Sequence, residues 1–206
     1  MTATEQSTRL PVSSGEARAF LFSDARTANS FSGQPVSDEE LLEAWDLAKW
    51  PPTAANTQPL RVQFVRTPGG KARLLPLMAE GNRAKTQAAP VTAILAADVD
   101  FHEFSPTTFP MRPEMKDNFA AMGEARREEL ARFNAALQAG YFILAVRSVG
   151  LAAGPMAGFD TEGASAEFFP GGLQRAFLAV NIGHPGENAW FSRLPRLEHS
   201  QVVSWS

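Results

Sequence analysis

The first clear helical pattern of the chain begins after Ser37. Leu41, Leu42, Trp45 and Ala48 recur at the spacing that places side chains on one helical face. Ser37-Asp-Glu-Glu40 in front of them reads as a capping box, with the serine hydroxyl accepting from the amide three residues on and Glu40 reaching back. Asp38 and Glu39 suit the positive end of the helix dipole. Pro51-Pro52 ends the pattern, because the residue before a proline avoids the helical region. A turn-rich stretch, 53–59, comes next. Residues 61–66 alternate around Val62, Phe64 and Val65 and predict a strand. Residues 71–79 predict a short helix, and the unbroken apolar run 91–97 predicts a buried strand.

Residues 98–116 are irregular and carry Pro106, Pro110 and Pro113. A segment of that length is usually functional, and it reads as a loop covering a site. Residues 118–149 predict mostly helix. Phe133, Leu137, Tyr141, Leu144, Ala145 and Ser148 make its second half a candidate core helix that also serves a dimer interface. Gly150 then supplies the left-handed residue that ends it. A short helix is expected over 161–168 and a buried strand over 177–182. The tail, 184–206, contains Pro185 and Pro195 and is expected to wrap over a neighbour. No repeat or linker interrupts the chain. Helices and strands mix without strict βαβ alternation, which predicts an α+β sandwich. The first fourteen residues are expected to be flexible, and 15–206 to form a single domain.

Composition narrows the function. The chain has 206 residues, 44% hydrophobic and 20% charged, values of an ordinary globular protein. A net charge of −3 argues against broad nucleic-acid binding. The absence of cysteine removes disulfides, thiolate nucleophiles and cysteine-based zinc sites, and fits a cytoplasmic location. The polar N-terminal stretch reads as no signal peptide, and no apolar run reaches the ~20 residues of a membrane span. A Rossmann fingerprint, a P-loop and a nucleophile elbow are all missing. His102, His184 and His199 lack metal-ligand spacing and read as surface or satisfied core residues. Such a chain acquires chemistry most simply from a bound cofactor.

Five short segments are the candidates for holding one. Arg26, Thr27 and Asn29 precede the first helix, and an arginine beside a hydroxyl at a turn suits a phosphate. Pro51-Pro-Thr-Ala-Ala-Asn-Thr-Gln-Pro59 makes a rigid turn of small residues against which a flat ligand can lie. Asn82 and Lys85 would face the same way on a helical turn. Gly154-Pro-Met-Ala-Gly-Phe-Asp160 lets backbone amides approach a ligand, since Gly158 has no side chain. Arg193 and Arg196 add late cations. Taken singly, each segment reads equally well as ordinary loop or solvated surface.

In order and spacing the five resemble the nitroreductase superfamily of FMN enzymes, over about residues 22–197. The match is nearest to a bacterial subgroup described as malonic semialdehyde reductases or NADH dehydrogenase/NAD(P)H nitroreductases. It rests on Asp24-Ala-Arg-Thr27, Lys49-Trp-Pro-Pro-Thr-Ala-Ala-Asn56, Gly81-Asn-Arg-Ala-Lys-Thr86, Ala89-Pro-Val-Thr-Ala93, Gly154-Pro-Met-Ala-Gly-Phe-Asp160 and Arg193-Leu-Pro-Arg-Leu197. The resemblance implies an α/β/α sandwich around a mainly antiparallel sheet, in an intertwined homodimer with FMN at the interface. Arg26, Thr27, Asn29 and Arg193 would lie near the FMN phosphate and ribityl chain. Asn82 and Lys85 would meet the pyrimidine edge, and the amides of Ala157 and Gly158 would lie near N5 and O4. Pro52, Thr53, Ala54 and Asn56 would come from the partner subunit and flank the ring. Family members often carry cations where this chain has Ala25, Asn29 and Phe191, so a lean phosphate site is expected.

The resemblance also implies a two-stage cycle. NADH or NADPH delivers hydride to flavin N5 and leaves, and a small oxidised acceptor takes the electrons from the same face. Malonic semialdehyde, reduced to 3-hydroxypropionate, would need a cation for its carboxylate, and Arg112 is the candidate. A broad nitroaromatic or quinone reductase would instead want flat apolar walls, which Phe101, Phe104 and Phe109 offer. A flavin-binding protein without turnover is the alternative of another class.

Overall fold

The computed structural model describes residues 10–206. Of the fourteen residues expected to be flexible, 10–14 are exposed, and the rest lie outside the described residues. Ser14 caps a short helix, α1 (Gly15–Arg18), which opens into a π-helical turn at Ala19–Ser23. Next in chain order are α2 (Asp38–Ala48), β1 (Leu60–Val65), α3 (Pro68–Leu74), α4 (Glu80–Ala88) and β2 (Val91–Asp98). Then come α5 (Ser105–Thr108), α6 (Met115–Ala121), α7 (Glu124–Ser148), β3 (Ala152–Met156), α8 (Thr161–Phe168), β4 (Gln174–Gly183) and α9 (His199–Val202).

The strands form one sheet in the order β1-β2-β4-β3, and every neighbouring pair is antiparallel. All eight residues of β2 are buried, so the sheet is covered on both faces there. On one face Leu60, Ala93, Leu95, Val180 and Ile182 pack with Leu41, Ala44 and Ala48 of α2 and Ala135, Ala139 and Phe142 of α7. On the other, Val65, Ile94, Ala179 and Met156 pack with Leu74, Met78 and Ala164. This is the expected α/β/α sandwich.

The capping box of α2 is present in both halves: Glu40 N–H donates to Ser37 Oγ at 3.2 Å and Ser37 N–H to Glu40 Oε2 at 2.8 Å. Gly150 has φ of +83°, and it closes α7 in a Schellman motif. Its N–H donates to Arg147 O at 3.0 Å, and that of Leu151 donates to Val146 O at 3.1 Å.

Other expectations need correction. Leu42 is 60% exposed, and Ala44 takes its place in the core. The helix read over 71–79 begins at Pro68, capped by Thr67, and finishes as a 3-10 turn at Leu75–Leu77. The helical stretch 118–149 is two helices, separated at Gly123 with φ of +78°. In α7 much of the set that reads as core is open: Phe133, Leu137 and Tyr141 are 65%, 42% and 46% exposed, while Ala145 is buried as expected. The buried face runs instead through Ala131, Asn134, Ala135, Gln138, Ala139 and Phe142. Small residues and two amides let the helix sit close to the sheet, and a search for bulky apolar periodicity passes over them. The 98–116 segment is partly core, because Phe101 and His102 are buried and Phe101 meets Phe119 edge-on at 5.2 Å. Residues 154–156, read as loop, belong to the edge strand β3.

One buried charge lies beneath the sheet. Lys71 of α3 donates from Nζ to Thr86 O at 2.8 Å and to Thr92 Oγ1 at 2.7 Å. Thr92 in turn donates to Asn181 Oδ1 at 2.8 Å. Burial lowers the Lys71 pKa to about 8. Its ordinary unfolded value is ~10.4, so the penalty on the charged form is full below pH ~8 and is relieved as the pH rises towards ~10.4. Wild type should therefore gain about 2–3 kcal/mol over Lys71→Met across that interval, read from urea unfolding at each pH. A difference independent of pH would show that Lys71 stays fully charged in the folded protein.

Candidate functional site

Edge strand β3 organises the site. Ala28 N–H donates to Ala153 O at 3.0 Å, which lays the 24–29 segment along the strand. A Cβ on Gly154 would stand 2.6 Å from Ala28 O, so only glycine permits this crossing. The late chain closes over the same place. Asn29 N–H donates to Ala189 O at 3.0 Å, Arg26 Nη1 to Phe191 O at 3.0 Å and Arg193 Nη2 to Ala25 O at 3.3 Å.

Between these segments opens a cleft of about 870 Å³, lined among others by Arg26, Thr27, Asn29 and Arg193. All four residues predicted near a phosphate are thus brought together. Ala25 and Phe191 line it too, as the departures from the family pattern anticipate. The expected shortage of charge is nonetheless absent. Arg147, from the last turn of α7, and Arg196 also line the cleft, and no carboxylate does. Sequence reading missed Arg147 because nothing in its helix marks it apart from any other terminal cation.

At the other end of β3, Ala157 and Gly158 are exposed. Gly158 is pinned through its carbonyl, which accepts from Ala79 N–H at 3.0 Å and Asn82 Nδ2 at 2.9 Å. A Cβ there would lie 2.8 Å from Asn82 Nδ2. Asn82 and Lys85 sit on α4, one turn apart. The other lysines are engaged: Lys49 with Asp46, Lys116 with Glu103, and Lys71 in its buried network. Half-buried Lys85 alone has no such partner among the described residues. From Ala153 to Gly158 the chain runs roughly 15 Å. The cationic cleft and the amide–ammonium pair therefore stand a molecule's length apart along one strand.

The predicted turn is built as a strained unit. Ala55, Asn56 and Gln58 have φ of +47°, +52° and +44°, a region that non-glycine residues rarely enter. Side chains hold it there. Ala54 N–H donates to Asn134 Oδ1 at 2.7 Å and Gln58 N–H to Thr53 Oγ1 at 3.2 Å. Asn56 Nδ2 donates to Thr108 O at 2.7 Å, and Leu60 N–H to Gln138 Oε1 at 2.9 Å. Asn134 and Gln138, buried on α7, are functional supports that the sequence did not reveal. Pro52, Ala54 and Asn56 are exposed and Thr53 is half-buried. No hydrogen bond among the described residues joins the turn to the cationic cleft or to Lys85.

Phe109 and Arg112 lie just beyond Thr108, so the Asn56 bond ties the covering segment to this turn. Phe109 is half-buried, Phe104 is 50% exposed and carries the Arg61 guanidinium 4.9 Å over its ring, and Phe101 is sequestered in the core. Arg112 is paired with Glu114. His102 Nδ1 is buried without a hydrogen bond among the described residues, so it is not the satisfied core residue expected, and His184 Nε2 lies 3.9 Å from Glu40 Oε1 without a hydrogen bond. No cluster of three metal-binding side chains exists among the described residues. Nor is any described helix long and apolar enough to cross a membrane.

Asn134→Ala leaves the Ala54 amide unsatisfied beneath a strained turn. Its expected cost is about 1–3 kcal/mol in denaturant unfolding. A change within ~0.5 kcal/mol, the range of ordinary surface substitutions, would show that the turn holds its shape without Asn134.

Comparison with known proteins agrees with this layout. The model of the nitroreductase family matches residues 24–184. A Streptomyces coelicolor protein provisionally named NADH dehydrogenase/NAD(P)H nitroreductase is 56% identical over 198 residues, covering 96% of this chain and 97% of its own. A Leptothrix cholodnii protein of the same provisional name is 49% identical, covering 86% and 90%. Among solved structures, a nitroreductase-family protein from Streptococcus pneumoniae superposes with a TM-score of 0.78 at 21% identity, covering 90% and 98%. One from Exiguobacterium sibiricum, solved in complex with FMN, superposes at 0.77 and 17% identity, covering 90% and 95%. At those identities the two structures speak for the fold, and the family match with the close relatives speaks for kinship: the chain belongs to the nitroreductase family.

Proposed function

We propose that this FMN-dependent NAD(P)H oxidoreductase passes hydride from NADH or NADPH to a small oxidised acceptor in two successive half-reactions, as a cytoplasmic homodimer. The observation that carries this reading is the alignment along β3 of an acid-free arginine cleft with Asn82, unpartnered Lys85 and Gly158. These residues fit a flavin nucleotide, which needs cations at one end, a cation and an amide at the other, and close backbone approach between. Bound FMN supplies the hydride chemistry.

Arg26 and Arg193 hold the phosphate by charge-assisted hydrogen bonds, with Thr27 and Asn29 beside them. Asn82 orients the pyrimidine edge. The Lys85 ammonium stabilises negative charge there, a contribution strengthened by its partial burial. Ala157 and Gly158 present backbone amides near N5 and O4. The partner's copy of the 52–56 turn flanks the ring. Two features support that arrangement: the turn is exposed and unconnected to its own chain's cleft, and α7 offers Phe133, Leu137 and Tyr141 as an open apolar face. Two-fold symmetry then gives two equivalent sites.

For the acceptor, the aromatic side chains favour a flat molecule such as a quinone or nitroaromatic. Phe104 and Phe109 offer apolar surface beside the turn. Reduction of malonic semialdehyde to 3-hydroxypropionate is the second reading. It requires Arg112 to leave Glu114, a solvent-exposed pair that water and salt screen.

The purified protein should be yellow and should bleach anaerobically with NADH or NADPH; failure to take up added FMN would refute the flavoenzyme reading. Stopped-flow reoxidation against quinones, nitroaromatics and malonic semialdehyde distinguishes the acceptors, and rapid turnover of the aldehyde alone would reverse the preference for a flat acceptor. Lys85→Ala should slow flavin reduction or weaken FMN binding by roughly 10- to 100-fold, the scale of one charge-assisted hydrogen bond. Unchanged binding and rates would remove Lys85 from the site.

A further inference from the structure

We infer that Arg147 is a phosphate ligand of this site, replacing from the end of α7 the cations that Ala25 and Phe191 fail to supply. The inference rests on the proposal that the site holds FMN. Four arginines, Arg26, Arg147, Arg193 and Arg196, face one cleft that no carboxylate lines among the described residues. Their hydrogen bonds go to carbonyl oxygens, which leaves their charges uncancelled. Asp24 lines an adjoining, mostly apolar cavity of about 480 Å³, whose wall Arg26 and Arg147 share with the cleft.

Arg147 stands out among the four. Burial pushes its pKa below the ordinary guanidinium value, so its charge is held in place at a desolvation cost. An arginine remains charged regardless, and a desolvated charge calls for an anion. Its one side-chain hydrogen bond among the described residues, from Nη2 to Arg26 O, is a long 3.5 Å. That bond does little for the half-buried charge. The negative end of α7 offers it some compensation. A phosphate monoester brings close to two negative charges and three acceptor oxygens, and planar guanidinium forks suit it.

The position is also rigid. Gly150 and Leu151 lock the helix end through the Schellman bonds, so Arg147 projects from a fixed backbone into a cleft otherwise made of loops. Fixed donors lose less entropy on binding than mobile ones.

The test compares FMN with riboflavin, which has the same ring and ribityl chain but no phosphate. Flavin fluorescence is titrated with full-length protein stripped of cofactor, for wild type, Arg147→Met and Arg147→Lys. Arg147→Met should weaken FMN binding roughly 10- to 100-fold and leave riboflavin within about 2-fold, so that the preference for FMN falls. Arg147→Lys should restore part of that preference. Inorganic phosphate should compete with FMN on wild type at lower concentration than on Arg147→Met. Equal weakening of both flavins would show that Arg147 only braces the fold, and an unchanged FMN preference would overturn the assignment outright. Wild type that binds neither flavin would defeat the FMN reading itself and this inference with it. Should Arg147→Met fail to fold, as judged by circular dichroism, Arg147→Lys with the phosphate competition decides the matter.

Discussion

No side chain fits at residue 154. The backbone of the 24–29 segment crosses β3 so closely that a Cβ there would strike Ala28 O at 2.6 Å. Much of the site depends on this contact. Because the early segment lies on β3, the late segment can close over it: Ser32 N–H reaches His184 O, Asn29 N–H reaches Ala189 O and Gly186 N–H reaches Ser30 O. Gly186 repeats the constraint from the other side, since a Cβ there would lie 2.9 Å from the Phe31 carbonyl carbon and oxygen. Residues more than 160 positions apart in the chain are thus gathered in one cleft, as the Arg26 to Phe191 hydrogen bond shows. The same strand, traced to its end, delivers Gly158 to Asn82.

Helix α7 meets a second constraint. One face must lie on the sheet, and alanines at 131, 135, 139 and 145 let it approach closely around the buried Phe142 and Val146. Two positions on that buried face carry amides. Asn134 and Gln138 bind the backbone at Ala54 and Leu60, so the helix that forms the core also props the turn in front of it. Buried amides of this kind are tolerated only when satisfied. Here the groups they satisfy are amides on either side of the positive-φ residues Ala55, Asn56 and Gln58, one at Ala54 before them and one at Leu60, where β1 begins. The opposite face of the helix is left with Phe133, Leu137 and Tyr141 in the open. The end of the helix carries Arg147 to the cleft. Core, turn and cationic site are therefore linked through one rigid rod.

The two ends of the site differ in their electrostatics. At the cleft, several arginines are held together by carbonyl oxygens, an arrangement that is repulsive until an anion enters. At α4, a single lysine stands beside an amide and an exposed glycine backbone. A ligand that satisfies both must be anionic at one end and planar and polar at the other. This asymmetry, more than any single residue, is why a flavin nucleotide is proposed for the site.

Much of this was legible in the sequence, and the limits were physical. Local signals read true where the cause is local: the Ser37–Glu40 capping box, the left-handed Gly150, the eight buried residues of β2 and the helix Thr161–Phe168. Four of the five segments likewise selected residues that the fold gathers along β3, while the 51–59 turn stands apart on α7. What the sequence could not carry were properties of distance. Whether Leu42 or Ala44 faces inward, whether Phe133 or Ala135 touches the sheet, and that 154–156 pair as a strand all depend on what packs opposite. The cleft shows the difference most plainly. The sequence determined that Ala25 and Phe191 bring no charge, but only the tertiary structure decided that Arg147, distant from both along the chain, would stand beside them, because its helix ends where β3 begins.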